Sequence, residues 1–599
     1  MPRIASSINF GMPQGVGEAV AGEAANVVAS RLSKLRTMVS AGLAVLVAGA
    51  MSAHAQTPPS AAVAPLQVPP TQRVIPPEQP QVLPPAAAPE APPPAPEGGP
   101  VRVDAVRLEG VTVYDEAALQ ALYGRVAGPA VQRVALDDIV RQLQKRYRDD
   151  GYILTVVHGQ FERKDNRIVF VIRAVEGYIS DIKLDGDIGP AGKLVYDMLQ
   201  HLTHKRPLNN ADLERYLLLA NDIPGVKVKA VLRRQTDPGA VELVAQMARK
   251  AVSGSVTYDN RGSEETGPNE LLVSGATNSF TNFGEKLEAM LFSTLNREEI
   301  FGQVNGDMFL TDEGLHLHTF FGDGNEKPGG LLKGTGYVGD LSIGGGDLSY
   351  PIFRSRRFNW SLDTDVDTYN ANISLGTNGN TTVSASHLLM WRGGSSADVQ
   401  DALLGDFPAA STFHLKVSQG LVGTSNTRPG NQVHFTKVGG DLTRVQNLWT
   451  LGDVTTALKL SVAGQYTSEI LPLSEKFYLG GAQFGRGFFF GEVTGDRGIG
   501  STVELQQNVT FSNLPLFFSA DYQLPAQFYQ FWDFGRGYNL APSDVDFSIN
   551  SVGLGVRSDL NEWMSVNLEG VHRLTTHPQG TAVNGEAEYA FFAQVVMHY

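Results

Sequence analysis

Two residues stand out for what they could do to one another. Arg486 lies in Gly480-Gly481-Ala482-Gln483-Phe484-Gly485-Arg486-Gly487-Phe488, and Asp533 lies in Phe531-Trp532-Asp533-Phe534-Gly535. A guanidinium held away from bulk water needs a carboxylate that can accept two parallel hydrogen bonds, and Asp533 is assigned to that role. The chemistry is recognition rather than bond-making. Gly485 and Gly487 would let the loop backbone approach a wall, and Phe488 would wedge against it. On a surface hairpin the same arginine would be incidental, so the elements around it decide its meaning.

Groupings that would signal an enzyme are missing. The chain has no Gly-x-Ser-x-Gly elbow and no His-Glu-x-x-His helix. Gly189-Pro190-Ala191-Gly192-Lys193 lacks the length and the hydroxyl of a phosphate-binding loop. His201 and His204 form a pair without a third ligand, and His316 and His318 share one face of a strand as ordinary lining. There are no cysteines, which excludes disulfides and thiolate metal sites and suits an exported chain. No enzymatic activity, cofactor or metal is expected. The net charge of −14 over 599 residues argues against a nucleic-acid partner.

The elements that must carry the arginine and the aspartate are strands. From about residue 250 the pattern alternates with period two. Leu458, Leu460 and Val462 oppose Lys459 and Ser461; Val503, Leu505 and Val509 oppose Thr502, Glu504, Gln506 and Asn508. About sixteen such segments of about ten residues or more are expected, long enough to cross a bilayer when tilted. The last of them ends the chain, with Phe591, Ala593, Val595, Met597 and Tyr599 on one face. The expectation is a closed antiparallel transmembrane β-barrel over 250–599, apolar outside and polar inside, because an open sheet edge cannot be satisfied in lipid. No interior stretch is apolar and long enough for a spanning helix.

Two small α/β units precede the barrel. The first, 101–178, reads as strand, helix 116–123, a helix capped by Asp137 that stops at Asp150-Gly151, then strands 152–159 and 167–175. The second, 179–249, repeats that order: strand 179–184, helices 194–201 and 210–220, and strands 227–234 and 240–247. Further upstream, Arg31, Lys34 and Arg36 precede an apolar run and Ala53-His54-Ala55, which predicts a signal peptide over 1–55. Residues 56–100, rich in Pro and Ala, read as an extended linker.

These parts together resemble the two-partner secretion translocators of the ShlB/FhaC/HecB family, relatives of the barrel-assembly proteins of the outer membrane. Gly151-Tyr152-Ile153 and Val175-Glu176-Gly177-Tyr178-Ile179 resemble the first POTRA module of that family. Ile223-Pro224-Gly225 resembles the second. Arg486-Gly487-Phe488 and Phe531-x-Asp533-x-Gly535 match its loop between the eleventh and twelfth strands and its thirteenth strand. Gly485 stands where the family carries Val. The resemblance implies a mostly β protein: a 16-stranded antiparallel transmembrane β-barrel preceded by two periplasmic α/β POTRA modules. It implies a lumen latch made of Arg486, Asp533, Gly485, Gly487, Phe488, Phe531 and Gly535. It implies modules that dock an unfolded passenger, marked by Gly151, Tyr152, Glu176, Gly177, Tyr178, Pro224 and Gly225. The passenger would add a strand to an open sheet edge. The implied partners are a secreted exoprotein, outer-membrane lipid and the machinery that inserts barrels. The alternatives are a barrel-assembly insertase, or a passive porin or receptor. Residues 57–100 are too rich in Pro for the plug helix frequent in that family.

Overall fold

The computed structural model describes residues 99–599 except 125, 165, 264, 377–380, 406, 513–522 and 581–584. The expected signal peptide and the linker up to residue 98 lie outside the described residues.

The first module opens with β1 (Val101–Val103) and β2 (Ala105–Glu109), followed by α1 (Glu116–Tyr123), β3 (Gly128–Val131), α2 (Arg133–Asp149), β4 (Val156–Lys164) and β5 (Arg167–Val175). The sheet runs β2-β5-β4, with β2 parallel to β5, and both outer strands have a free edge. Leu136, Ile139, Leu143 and Tyr147 recur at helical spacing along α2 and are buried with Leu119, Phe170 and Ile172. Gly151, at φ +90°, follows the helix as expected. The helix begins at Arg133, four residues before Asp137, because buried Leu136 anchors its first turn. The strand expected from Tyr152 begins only at Val156, since Tyr152 first packs onto the module core. The small pair β1–β3 was not anticipated.

The second module repeats the plan with β6 (Tyr178–Asp185), α3 (Ala191–Gln200), α4 (Asn210–Asp222), β7 (Val226–Arg234) and β8 (Ala240–Arg249), its sheet running β6-β8-β7. Asn209 caps α4 by accepting from the Ala211 N–H at 2.9 Å. Leu194, Val195, Met198, Leu213, Leu219 and Ala220 fill the space between the helices and the sheet.

Sixteen antiparallel strands then close into a barrel, from Val252–Asp259 to Tyr589–His598. Its polarity is inside-out. Leu554, Phe321 and Phe591 are 60% or more exposed on the outer face, whereas Glu504, Asp533 and Ser551 are fully buried within. The first three strands have 8, 9 and 9 residues, shorter than expected, while Thr381–Asp401 has 21.

The second module is fixed to one end of the barrel. Arg354, at a barrel turn, grips the Asp222 carboxylate through two bonds of 2.8 and 2.6 Å. Arg215 of α4 donates to the Pro351 and Ile352 carbonyls at 3.0 and 3.1 Å. Phe309 of the barrel enters the module's own apolar core.

Candidate functional site

The loop that carries Arg486 joins the eleventh barrel strand, Val454–Thr467, to the twelfth, Arg497–Ser512. It starts at the barrel end away from the modules and folds back inside. A short hairpin, Phe477–Leu479 with Val493–Gly495, lies along the inner wall. Its tip is shaped by glycines. Gly480, Gly481 and Gly485 all have φ between +76° and +104°, a region that side chains with a Cβ adopt poorly. Leu479, Phe484, Phe488, Val493 and the wall residue Ile549 form one apolar cluster that seats the tip.

Seating the tip places Arg486 over the thirteenth strand, Gln523–Tyr538. Its Nε and Nη2 donate to the two carboxylate oxygens of Asp533 at 3.0 and 2.9 Å, and its backbone N–H donates to Asp533 Oδ2 at 2.9 Å. The planes of guanidinium and carboxylate therefore engage at two points, as the residue types required. The guanidinium also lies 3.5 Å from the ring centroid of Phe531, close enough for cation–π attraction. Arg486 is 4% exposed and Asp533 is fully buried, so neither is screened by water to any extent.

The remaining expected residues explain the fit of the tip. A Cβ on Gly487 would approach Val571 Cγ1 to 2.9 Å, and one on Gly535 would approach Leu479 Cδ2 to 2.7 Å. Both glycines let loop and wall come into contact. A Cβ on Gly485 would collide with Ile549 Cδ1. Left-handed backbone and a filled neighbouring space thus account for Gly at 485, the position where this chain departs from the Val of the resembling family.

Several participants were not anticipated. Glu504 on the twelfth strand accepts from Arg486 Nη1 on one oxygen, and from Gln506 and Arg557 at 2.8 and 3.0 Å on the other. Asp533, Arg486, Glu504 and Arg557 thus alternate in charge across the lumen. Alternation had already put Glu504 on the inward face; an acidic residue among Thr and Gln there was the available signal. The loop backbone is held as well. Arg261 donates to the Arg486 carbonyl at 3.1 Å, and Arg573 donates to the Gly487 carbonyl. No local pattern marks either residue. The two flanks of the loop have anchors of their own. Glu475 accepts from Arg392 twice at 3.1 Å and from Lys437 at 2.8 Å. Asp496 accepts from Arg428 at 2.7 and 3.2 Å.

The seven residues that marked the modules are not brought together. Five fall at two joints, and Tyr152 and Glu176 serve the first module itself. Gly151 lies against Asn209, the cap of α4, and its carbonyl accepts from the Asn210 N–H at 2.8 Å. Tyr152 is in the first core. The Gly177 carbonyl accepts from Leu208 at 2.9 Å, and the Tyr178 ring lies 4.1 Å from the Arg206 guanidinium. Glu176 faces back into the first module, where it accepts from the Thr112 N–H at 2.8 Å and the Tyr147 hydroxyl at 2.7 Å. Burial, and then this bond to Glu176, pushes the Tyr147 phenol well above its ordinary pKa. Pro224 and Gly225 touch the barrel: the Pro224 carbonyl accepts from Ser279 at 2.5 Å and the Gly225 carbonyl from the Lys250 N–H at 2.7 Å.

Beyond the loop a cavity of about 800 Å³ remains in the lumen, lined by Asp347, Asp363, Asp365, Asp367, Arg392 and Lys416 among others. The Lys416 ammonium is 2.7 Å from Asp365, so this group is at least partly neutralised from within. His316 and His318 both face Asp307, at 3.9 and 2.7 Å.

Comparison with known proteins agrees with this architecture. Residues 101–162 match the ShlB-type POTRA domain, and residues 410–562 match the Omp85 superfamily domain. No curated protein matches. Among solved structures, CdiB from Escherichia coli aligns at 16% identity with a TM-score of 0.68, covering 86% of this chain and 93% of that one. CdiB from Acinetobacter baumannii aligns at 17% identity with a TM-score of 0.59, covering 96% and 98%. Identities this low establish a common fold, and the two domain matches identify the parts that they cover. The chain thus carries a ShlB-type POTRA domain at residues 101–162 and an Omp85 superfamily domain at residues 410–562, on a fold similar to that of both CdiB structures.

Proposed function

We propose that the protein exports one unfolded exoprotein across the outer membrane, with its modules in the periplasm and the Gly480–Phe488 loop as the latch of the pore. The observation that carries this reading is the buried Arg486, doubly bonded to Asp533 inside the lumen. A seated loop narrows the lumen, and a passenger that passes must displace it. The latch is held by charge pairs and a small apolar cluster, with no covalent bond, so it can be released and re-formed. Apart from Val157 of β4 and Val228 of β7, which bond to Gln144 and Asn221, the outer edges of β2, β4, β6 and β7 offer backbone groups to an extended passenger, whatever its side chains. With no catalytic grouping, transport would draw on passenger binding inside and folding outside.

Deleting the protein tests the reading. Secretion of a large exoprotein encoded beside it should be lost while unrelated outer-membrane barrels keep their levels. A general fall in those barrels would overturn the proposal in favour of an assembly insertase. Arg486→Ala and Asp533→Ala should each abolish secretion while the barrel still inserts; normal secretion by either variant refutes the latch.

A further inference from the structure

The barrel closes where its first strand, Val252–Asp259, meets its last, Tyr589–His598. This seam is the shortest ladder in the wall. It has five register pairs, from Asp259↔Gln594 to Ser255↔His598, whereas the next shortest ladders have eight. At the module end it is extended by two backbone bonds between Gly254 and Tyr599, of 3.1 and 2.9 Å. At the far end the first strand stops while the last continues through Ala593 to Tyr589.

Side chains take over there. The Asn260 amide donates through Nδ2 to the Phe591 carbonyl at 3.0 Å, and its Oδ1 accepts from the Ala593 N–H at 2.7 Å. One side chain thus stands in for the missing backbone partner. The next residue, Arg261, turns into the lumen. Its guanidinium lies 4.3 Å from the ring centroid of Phe592 on the last strand and is paired with Glu569 on the fifteenth, Met564–Arg573. Its Nη1 reaches the Arg486 carbonyl at 3.1 Å. The same guanidinium therefore touches the last strand, its neighbour and the tip of the latch.

We infer that Arg261 couples the latch to the seam, so that the far end of the seam is held closed only while the loop is seated. A seated loop gives Arg261 a carbonyl acceptor and shields its ion pair with Glu569 from water. When the loop leaves, the carbonyl goes with it and the ion pair becomes solvated, which weakens it. Tyr589–Ala593 is then held at the seam by Asn260 alone. The coupling is reciprocal: loosening the seam must ease the release of the loop by the same free energy. This inference goes beyond export and takes from it only that the loop can leave the lumen. Arg261 is a positioning residue, acting on the loop backbone.

The natural absence of cysteine makes the test unambiguous. Loop position is read by maleimide labelling of a Ser551→Cys barrel, a fully buried wall residue that lies against Gly487 of the loop, and seam pairing by amide hydrogen exchange in Tyr589–Ala593, with Val595–Tyr599 as the internal control. Arg486→Ala should speed labelling and raise exchange in Tyr589–Ala593 by about tenfold, the effect of losing one net hydrogen bond, and leave the control unchanged. Arg261→Ala should do the same to both readouts. A freed loop with an unchanged seam, or a loosened seam with unchanged labelling, overturns the coupling. Should Arg261→Ala fail to fold, a tether replaces it. Thr502 donates to the Gln483 carbonyl at 3.2 Å, so Gln483→Cys with Thr502→Cys can lock the loop in place in the Arg486→Ala background. Exchange should be slow when this pair is oxidised and fast when reduced; fast exchange in both states refutes the inference. If Arg486→Ala leaves residue 551 protected, the latch reading itself fails, and Arg261→Ala or Asn260→Ala then decides the coupling on its own.

Discussion

Replacing Arg486 by Ala removes one side chain from three partners. Asp533 loses both guanidinium bonds and keeps only the backbone N–H at 2.9 Å, while Glu504 keeps Gln506 and Arg557. Asp533 is fully buried and so becomes an under-compensated charge. Breaking a buried pair in this way costs about 3–5 kcal/mol. Because about 1.4 kcal/mol is tenfold in an equilibrium constant, the seated loop should be disfavoured by about two to three and a half orders of magnitude. Glu504→Gln should cost less, about 1–2 kcal/mol, since the amide can still accept a hydrogen bond. The assay is conductance of the purified barrel in a planar bilayer, where the open fraction reports the loop. Arg486→Ala and Asp533→Ala should both raise that fraction strongly, and the double variant should add little to either, because each alone breaks the same contact. Additive effects, or an Arg486→Ala channel closed as often as the parent, would refute the idea that this pair holds the loop.

Other consequences can be measured separately. Gly485→Val should loosen the loop through both its left-handed backbone and its clash with Ile549, and Ile549→Ala should restore only the part due to the clash, read in the same bilayers. Gly177→Ala would bring a Cβ to 2.5 Å from Leu154 Cβ, and should lower the thermal stability of the module pair by about 1–3 kcal/mol, followed by circular dichroism of the full chain. Asp222→Asn should loosen the grip of Arg354 by no more than about 1 kcal/mol, because that pair is a quarter to a third exposed, and the effect should shrink in high salt when tracked by limited proteolysis near residue 250.

The parts that were legible in the sequence are those written in local periodicity. Alternation of Val503, Leu505 and Val509 with Thr502, Glu504 and Gln506 fixes which face of a strand meets lipid, whatever its neighbours are. Arg486 and Asp533 were found because their surroundings are distinctive: glycines and aromatics around a charge. What stayed hidden is the product of long-range contact. Arg261 is 225 residues from Arg486 in the chain, and nothing near it signals a guanidinium reaching a loop carbonyl. Gly151, Gly177 and Pro224 were visible as unusual residues, but only the packed structure reveals that they form the joints between modules and between module and barrel. The first strand falls short of the expected length because it ends where Asn260 and Arg261 take over its contacts with the last strand.

The unequal strands have a consequence for the surrounding membrane. At about 3.3 Å per residue and a tilt near 40°, a strand of 8 residues rises about 20 Å and one of 21 residues about 53 Å. The hydrocarbon layer is about 30 Å thick. Lipid beside the seam must therefore be compressed, or the whole cylinder must lean until its short side is better matched, at a fraction of a kcal/mol per Å of mismatch. Because the second module is clamped to the barrel by Arg354 and Arg215, any such lean would be passed on to it. Bilayer thickness would then set the angle at which the modules hang beneath the pore, making membrane elasticity an input to the protein's geometry.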